Sequence, residues 1–339
     1  MTDTTLHERA HAVARATMTY SFKVWGFGEG IALEALWQAA DALGEPAYRA
    51  YVLDLFERWL AREIVEADHS APGGLLVEAW QHTGDERYLA LAQRLAAHMH
   101  ALPQDATGAL FHRPTHPDYH DYLYVDCMEV DAPFLCTLAQ ATGDAAYVDR
   151  AVEQLLGYSA LLQDAETGLF YHQYNGSTGQ VNGSFWGRGN AWALLGYLKT
   201  LQLLPKTHDA YSEAMVRFTA LARTLAQRQL ADGHWSTVLD QPETYHEASL
   251  PAMFGYGLDA AVSAGLLPEE YAAVADRAWD ATLSRLTPDG MLEGVSIATP
   301  PGNAPHYNSI ATGAGYPWAQ GPLLLWFLHR IQSKVTSAE

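Results

Sequence analysis

Three segments of this 339-residue chain share one local design, and that repeat constrains the fold more than any other feature. The turns Gly44-Glu45, Gly84-Asp85 and Gly143-Asp144 each have a tyrosine four residues after the glycine, at Tyr48, Tyr88 and Tyr147. Apolar residues stand eight, seven and four before it: Leu36, Trp37 and Ala40; Leu76, Val77 and Trp80; Leu135, Cys136 and Ala139. An i, i+1, i+4 apolar spacing is helical. A glycine that ends one helix in the left-handed conformation, followed by an acid that favours the next N-terminus, joins two antiparallel helices tightly. Each repeat therefore reads as a helical hairpin.

Degenerate copies follow: 191–204 turns through Pro205 into about 209–230, and 250–264 turns through Pro268 into about 269–286. With an opening helix near 6–19 and a last one at about 318–331, the pattern predicts roughly twelve helices in six pairs. Short turns alternate with long connections at about 20–28, 65–70, 102–125, 163–186, 231–247 and 287–317, so one face should carry all the long loops. Loops on a rigid scaffold concentrate binding and catalysis, which makes that face the functional one. Six hairpins build either an open solenoid or a closed ring. The apolar last helix, with its run 323–327, favours closure, because in a solenoid it would need a polar capping face. The expected fold is all-α: an (α/α)6 barrel of six helical hairpins, one domain over 1–334, with a loose tail at 335–339.

Composition narrows the partners. Asp plus Glu number 39 against 20 Lys plus Arg, and the net charge of −19 would repel a phosphate backbone, which disfavours nucleic acid. Only 17% of residues are charged, while 10 Trp, 18 Tyr and 15 His suit a cleft for a saccharide or another ring. The most apolar stretch, 248–268, is interrupted by Pro251, Asp259 and several glycines, so no membrane span is expected. Residues 1–16 lack the apolar stretch of a secretory signal. The two cysteines, Cys127 and Cys136, match neither a zinc-ribbon nor a redox spacing and read as reduced. Together these lead to the expectation of a cytoplasmic protein. Oligomeric state is not indicated.

Unusual residues collect on the long-loop face. Asp68 lies sixteen residues before Gly84 and Asp126 seventeen before Gly143, nearly the same place in successive repeats. Both should sit at the mouth end of an inner helix, where two carboxylates supply acid/base chemistry for a glycosidic or enol-ether substrate. Alternatively each caps its helix N-terminus, a role that asparate favours. The densest signal is Phe185-Trp186-Gly187-Arg188-Gly189-Asn190-Ala191-Trp192. Its glycines let a loop approach a ligand, its arginine matches a carboxylate, and its indoles offer sugar platforms, unless it is a helix-entry loop packed on its own aromatics. Trp25-Gly26-Phe27-Gly28-Glu29-Gly30 repeats the theme, as a stacking wall or as a tight turn. His112, His172 and His234 follow related turns, and His69, His246 and His306 also fall near the rim. His172, leading into the Trp186 loop, is the favoured ligand contact among them. Metalloprotease, P-loop, serine-esterase and EF-hand patterns are absent, and no spacing argues for a metal.

These residues, in order, resemble glycoside hydrolase families 88 and 105, the unsaturated glucuronyl and unsaturated rhamnogalacturonyl hydrolases, which are (α/α)6 barrels. The likeness runs from about Trp25 to Leu325. It is most specific at Asp126 with Pro133-Phe134, at Thr167-Gly168-Leu169-Phe170-Tyr171-His172 and at 185–192, with support from Asp68 before Ala71-Pro72-Gly73 and from Glu247-Ala248-Ser249. The resemblance implies that Asp126 is the general acid/base, protonating C4 of a 4,5-unsaturated uronic acid at the non-reducing end of an oligosaccharide. It implies Asp68 as the second catalytic carboxylate, and Trp25, His69, His172, Trp186, Arg188, Asn190 and Trp192 as substrate contacts. It implies no cofactor, and a short unsaturated oligosaccharide, pectin- or rhamnogalacturonan-derived, as substrate. The chain departs from the family just after Asp126, where Glu129 and Asp131 stand among mostly apolar positions; Glu129 is either a helix-start charge or an alteration of the site. Two other readings stand beside this one: an (α/α)6 inverting glycosidase or epimerase acting on saturated sugars, and a sugar-binding barrel without chemistry.

Overall fold

The computed structural model describes residues 3–24, 28–70 and 72–338, the side chains at 67, 70 and 335–338 excepted. Twelve long helices run in chain order among them: α1 (Asp3–Thr17), α2 (Glu29–Ala42), α3 (Ala47–Leu60), α4 (Gly73–Thr83), α5 (Glu86–Ala101), α6 (Cys127–Thr142), α7 (Ala146–Leu162), α8 (Gly187–Leu203), α9 (Tyr211–Arg228), α10 (Ser249–Ser263), α11 (Ala272–Leu283) and α13 (Pro317–Ala338). A short α12 (Ala304–Asn308) lies in the last long connection, and the backbone of the expected tail, 335–338, continues α13. No helix among the described residues is long and apolar enough to cross a membrane.

Burial separates the helices into two rings. Outer helix α9 buries one stripe, Ala214, Phe218, Leu221, Ala222 and Leu225, at the spacing of an amphipathic surface helix. Inner helix α8 is buried without a break from Gly187 to Leu198, because it has outer helices behind it and the barrel centre in front. The inner helices pack in the order α2, α13, α10, α8, α6, α4, each with its outer partner, and α1 packs against α13. The ring shuts where α4 returns to α2, with Pro72 against Gly30. The open solenoid is thereby excluded and the fold is an (α/α)6 barrel.

The expected turns form as the glycines dictate. Gly84 and Gly143 end α4 and α6 in the left-handed conformation, φ 70° and 73°, each donating its N–H back to a carbonyl of the last turn. Asp85 then caps α5, accepting from the Arg87 N–H at 3.0 Å. The long connections carry the little β structure present. Strands β1 (Tyr122–Tyr124), β2 (Gln173–Asn175) and β3 (Gln180–Val181) form one antiparallel sheet with Leu123 opposite Tyr174, which ties the third long connection to the fourth. Strands β4 (Glu293–Ser296) and β5 (Thr312–Ala314) pair within the sixth.

The two acids that depart from the family pattern are both buried in α6. Glu129 meets the Lys199 ammonium of α8 at 2.7 Å, and the same ammonium binds Glu34 of α2, so a helix-borne charge cross-links three inner helices. Asp131 points toward outer helix α7: the Tyr158 hydroxyl donates to Oδ2 at 3.3 Å, and Oδ1 has no hydrogen-bond partner. Burial pushes its carboxyl up from 3.8 to about 8.

Two outcomes follow for stability. A methyl on Gly321 would lie 2.7 Å from the Ala32 backbone nitrogen at the seam between α13 and α2. Gly321→Ala should therefore lower stability by roughly 1–3 kcal/mol, read as a lower urea midpoint at unchanged slope. An unchanged midpoint would mean that the seam is looser than this. For Asp131, folded and unfolded chains are both protonated in strong acid. Between pH 3.8 and about 8 the folded chain keeps the proton that the unfolded chain has lost, so this group's contribution falls as pH rises through that window. Denaturation midpoints across that range should decline in the wild type and flatten in Asp131→Asn; parallel profiles would contradict a buried neutral carboxyl.

Candidate active site

A cavity of about 540 Å³ opens on the long-loop face, and its lining comes from four of the long connections and the helix starts that follow them. The first contributes Glu29, the third His112, Tyr124 and Asp126, the fourth His172 and Trp186, and the sixth the segment 298–301 with Trp318. Local pairing explains the convergence. Sheet β1–β2 lays Asp126 beside His172, and the buried Asn190 amide accepts from the Phe170 N–H at 2.7 Å while donating to the Phe170 and Trp186 carbonyls at 2.9 Å. This one side chain fixes the segment leading to His172 against the start of α8.

Asp126 stands at the N-cap position of α6, yet its side chain makes no cap hydrogen bond. Its Oδ2 lies 3.2 Å from His172 Nε2 but out of line for a hydrogen bond, so this buried oxygen has no donor. On the other side of the ring, His172 Nδ1 is 2.8 Å from the Tyr307 hydroxyl. That hydroxyl accepts from Asn182 Nδ2 at 2.9 Å and from the Gly302 N–H at 3.0 Å, so its own hydrogen goes to His172 Nδ1. The imidazole hydrogen is then on Nε2, the atom that faces Asp126. The ring is clamped as well: it stacks on Trp186 at 4.2 Å and 26°, and Trp186 lies nearly parallel to Tyr307.

One wall of the cavity is a layered stack. The Arg188 guanidinium sits 4.7 Å from the Trp186 ring and 5.3 Å from that of Trp318, and Trp318 stacks on Tyr316. Arg188, expected as a fork for a substrate carboxylate, lines the cavity, and its terminal N–H groups are engaged by the protein. They reach the Ser296 carbonyl and hydroxyl, the Ile297 carbonyl at 2.9 Å and the Thr299 hydroxyl at 2.9 Å, with the buried Glu247 3.7 Å away. Arg188 thus holds the 296–299 wall in place. Lys23 and Arg113 are further cations of the lining.

Other expected contacts fall elsewhere. Asp68 is fully buried and is not among the cavity-lining residues: Arg62 grips both its oxygens at 2.8 Å, and the Val65 N–H donates to it at 2.7 Å. The structure corrects its placement, because a carboxylate saturated by its own turn does not face the cavity. Asn190 is corrected likewise, since both ends of its amide are bound to backbone. His69 lies outside the lining, against His112. Trp192 lines the cavity, and Trp25 lies outside the described residues. The second carboxyl of the cavity is instead Glu29, which accepts the Lys23 and Val24 N–H groups at 2.7 and 2.9 Å and is pushed up by burial. Sequence reasoning had it only within an aromatic-glycine run and missed Trp318, whose α13 position carries no motif.

A donor-free carboxyl oxygen beside an imidazole N–H, walled by indoles and with cations in the lining, can exchange a proton with an uncharged carbon or oxygen of an anionic sugar. Comparison with known proteins agrees. The profile of Glycosyl Hydrolase Family 88 matches residues 1–334. The unsaturated rhamnogalacturonyl hydrolase YesR of Bacillus subtilis (strain 168) is 25% identical over 333 residues, covering 95% of this chain and 94% of that one. Among solved structures, a possible member of the GH105 family from Salmonella enterica superposes with a TM-score of 0.90 at 22% identity, covering 98% of this chain and 95% of the other. The unsaturated glucuronyl hydrolase of Bacillus sp. GL1 does so at 0.75 and 18% identity, over 97% and 98% of the two chains. These structural likenesses show the fold, and the sequence match over nearly the whole chain shows the family: the protein is a glycoside hydrolase belonging to Glycosyl Hydrolase Family 88.

Proposed function

We propose that this hydrolase removes a 4,5-unsaturated uronic acid from the non-reducing end of lyase-generated oligosaccharides, with pectin- or rhamnogalacturonan-derived disaccharides as the leading substrates. The observation that carries the reading is Asp126, a carboxyl in the cavity lining whose buried Oδ2 has no donor and lies 3.2 Å from His172 Nε2. In this mechanism the Asp126 carboxyl gives its proton to C4 of the vinyl ether and leaves a cation at C5. The Asp126 carboxylate then takes a proton from the water that adds at C5, which restores the acid. The hemiketal so formed opens and releases the remaining saccharide. His172 stabilises the carboxylate between the two transfers, and the charge needs stabilising only then, which is where an oriented N–H accelerates the step. Because the reaction is hydration of an alkene, the carboxylate-pair spacing of ordinary glycosidases does not apply, and Asp68 need not touch the sugar.

The indoles of Trp186, Trp192 and Trp318 offer platforms for the sugar ring, and Lys23 with Arg113 provides the positive field for its carboxylate. Arg188 and Asp68 act through the walls they hold. The catalytic unit is one domain over 1–334, a span that the family match supports. A cytoplasmic setting is supported by two cysteines that are buried and free. The net charge of −19 favours a small saccharide over a polyanionic polymer or nucleic acid.

The test is loss of the near-ultraviolet absorbance of the conjugated uronate alkene when pure protein meets a panel of unsaturated disaccharides. Asp126→Asn should lower kcat by roughly a hundred- to ten-thousand-fold with its unfolding midpoint kept, as expected of a lost general acid. Substantial residual turnover would move the role to another group, Glu29 first. Tyr307→Phe frees the imidazole to rotate and should lower kcat by up to roughly a hundredfold with little change in KM. Adding it to His172→Ala should cost nothing more, since both act through one ring; additive losses would break the proposed link.

A further inference from the structure

Immediately after the acid, the start of α6 presents a thiol to two imidazoles, one from the second long connection and one from the third. Cys127 Sγ lies 3.9 Å from His69 Nε2 and 4.0 Å from His112 Nδ1, and those two nitrogens are 3.2 Å apart. All three residues are buried, at 0%, 1% and 6% exposure respectively. The His69 ring is already oriented: its Nδ1 meets the Glu66 carbonyl at 3.2 Å, and a carbonyl only accepts, so Nδ1 carries the hydrogen and Nε2 turns a lone pair toward the other two donors. Donation of the second ring nitrogen to a carbonyl is the usual support of a metal-bound histidine.

We propose that His69 Nε2, His112 Nδ1 and Cys127 Sγ form a site for a borderline transition-metal ion, zinc in the first place. Tetrahedral zinc with ordinary bond lengths places two nitrogens about 3.3 Å apart and a nitrogen and a sulfur about 3.6 Å apart. The nitrogens already stand at that separation, and the sulfur has to close by only a few tenths of an ångström. Two imidazoles and a thiolate suit zinc and exclude magnesium and calcium, which require oxygen. On binding, the Cys127 S–H bond breaks, its proton goes to bulk solvent, and a metal–sulfur bond forms. His112 moves its hydrogen from Nδ1, where it is donated to His69 in the metal-free form, to Nε2. His112 lines the main cavity, which gives the ion its entry path.

The ion would tie together three segments of the mouth: the turn Glu66–Ser70, the third long connection and the start of α6. Cys127 follows Asp126 directly, so the clamp fixes the backbone that carries the acid. The donors are separated by 15, 43 and 58 residues, and no metal motif spans such intervals, which is why spacing alone shows nothing. The site does not depend on which sugar the enzyme takes.

The experiment is a Co²⁺ titration of the whole protein after treatment with a chelator, followed by displacement with Zn²⁺. One equivalent should bind with a thiolate-to-cobalt charge-transfer band and the intense visible bands of a tetrahedral ion, and Zn²⁺ should raise the unfolding midpoint. Cys127→Ser should abolish the charge-transfer band, whereas Cys136→Ser should keep it. His112→Gln, which keeps the sulfur, should weaken binding by roughly a hundredfold. Failure of the wild type to bind one equivalent overturns the site without reference to any variant. A charge-transfer band that survives Cys127→Ser, or an affinity unchanged in His112→Gln, overturns it too.

Discussion

Closure of the inner ring is the constraint on which the rest of the molecule depends. A helix such as α8, buried all round, is stable only with helices on both sides and in front, and the last inner helix meets that demand only by packing between α10, α2 and α1. The close approach this requires is visible at Gly321, where α13 touches the backbone of α2. Once the ring is shut, every long connection emerges at the same rim and the short turns at the other. The mouth is therefore a consequence of how the apolar surface is buried.

The connections at that rim are then held to one another by few contacts. Asn190 binds the fourth connection to the start of α8, β1 pairs with β2 across the third and fourth, and Tyr307 reaches from the sixth to His172. Arg188, between two indoles, anchors 296–299 from below. The surroundings of Asp126 are assembled from elements far apart in the chain, each rigidified by a buried polar group whose partners are complete.

That completeness separates structural from chemical carboxyls. Asp68 is saturated by Arg62 and a backbone N–H, Glu247 by Ser249, the Ser296 N–H and the nearby Arg188, and Glu129 is paired with Lys199. A buried charge that is fully paired maintains geometry and has little left to give. Asp126 combines a place in the main cavity with a buried oxygen that lacks a donor, whereas Asp131, the other acid among the described residues with such a buried oxygen, is outside that lining. For an acidic chain this is a simple division of labour: arginines, a lysine and backbone N–H groups neutralise the framework, and a carboxyl left incomplete lines the cavity.

What the sequence by itself determined is whatever local periodicity and turn chemistry control. The 3.6-residue spacing and the glycines at 84 and 143 act within a few residues of themselves, so the helices, the hairpins and the face of the long loops are legible without tertiary information. The aromatic run at 185–192 and the acid at 126 are legible as well, because unusual residues are concentrated in one loop or recur at one place in the repeat. What only the tertiary structure decided is which side chains meet. Asp68 and Asp126 occupy matching positions, but Arg62 claims the first. Arg188 is turned toward the wall by a strand more than a hundred residues away. His69, His112 and Cys127 come together from two long connections and the start of α6. Those outcomes depend on contacts between segments distant in sequence, where the free energy is that of packing and of pairing buried charge, and no local pattern encodes it.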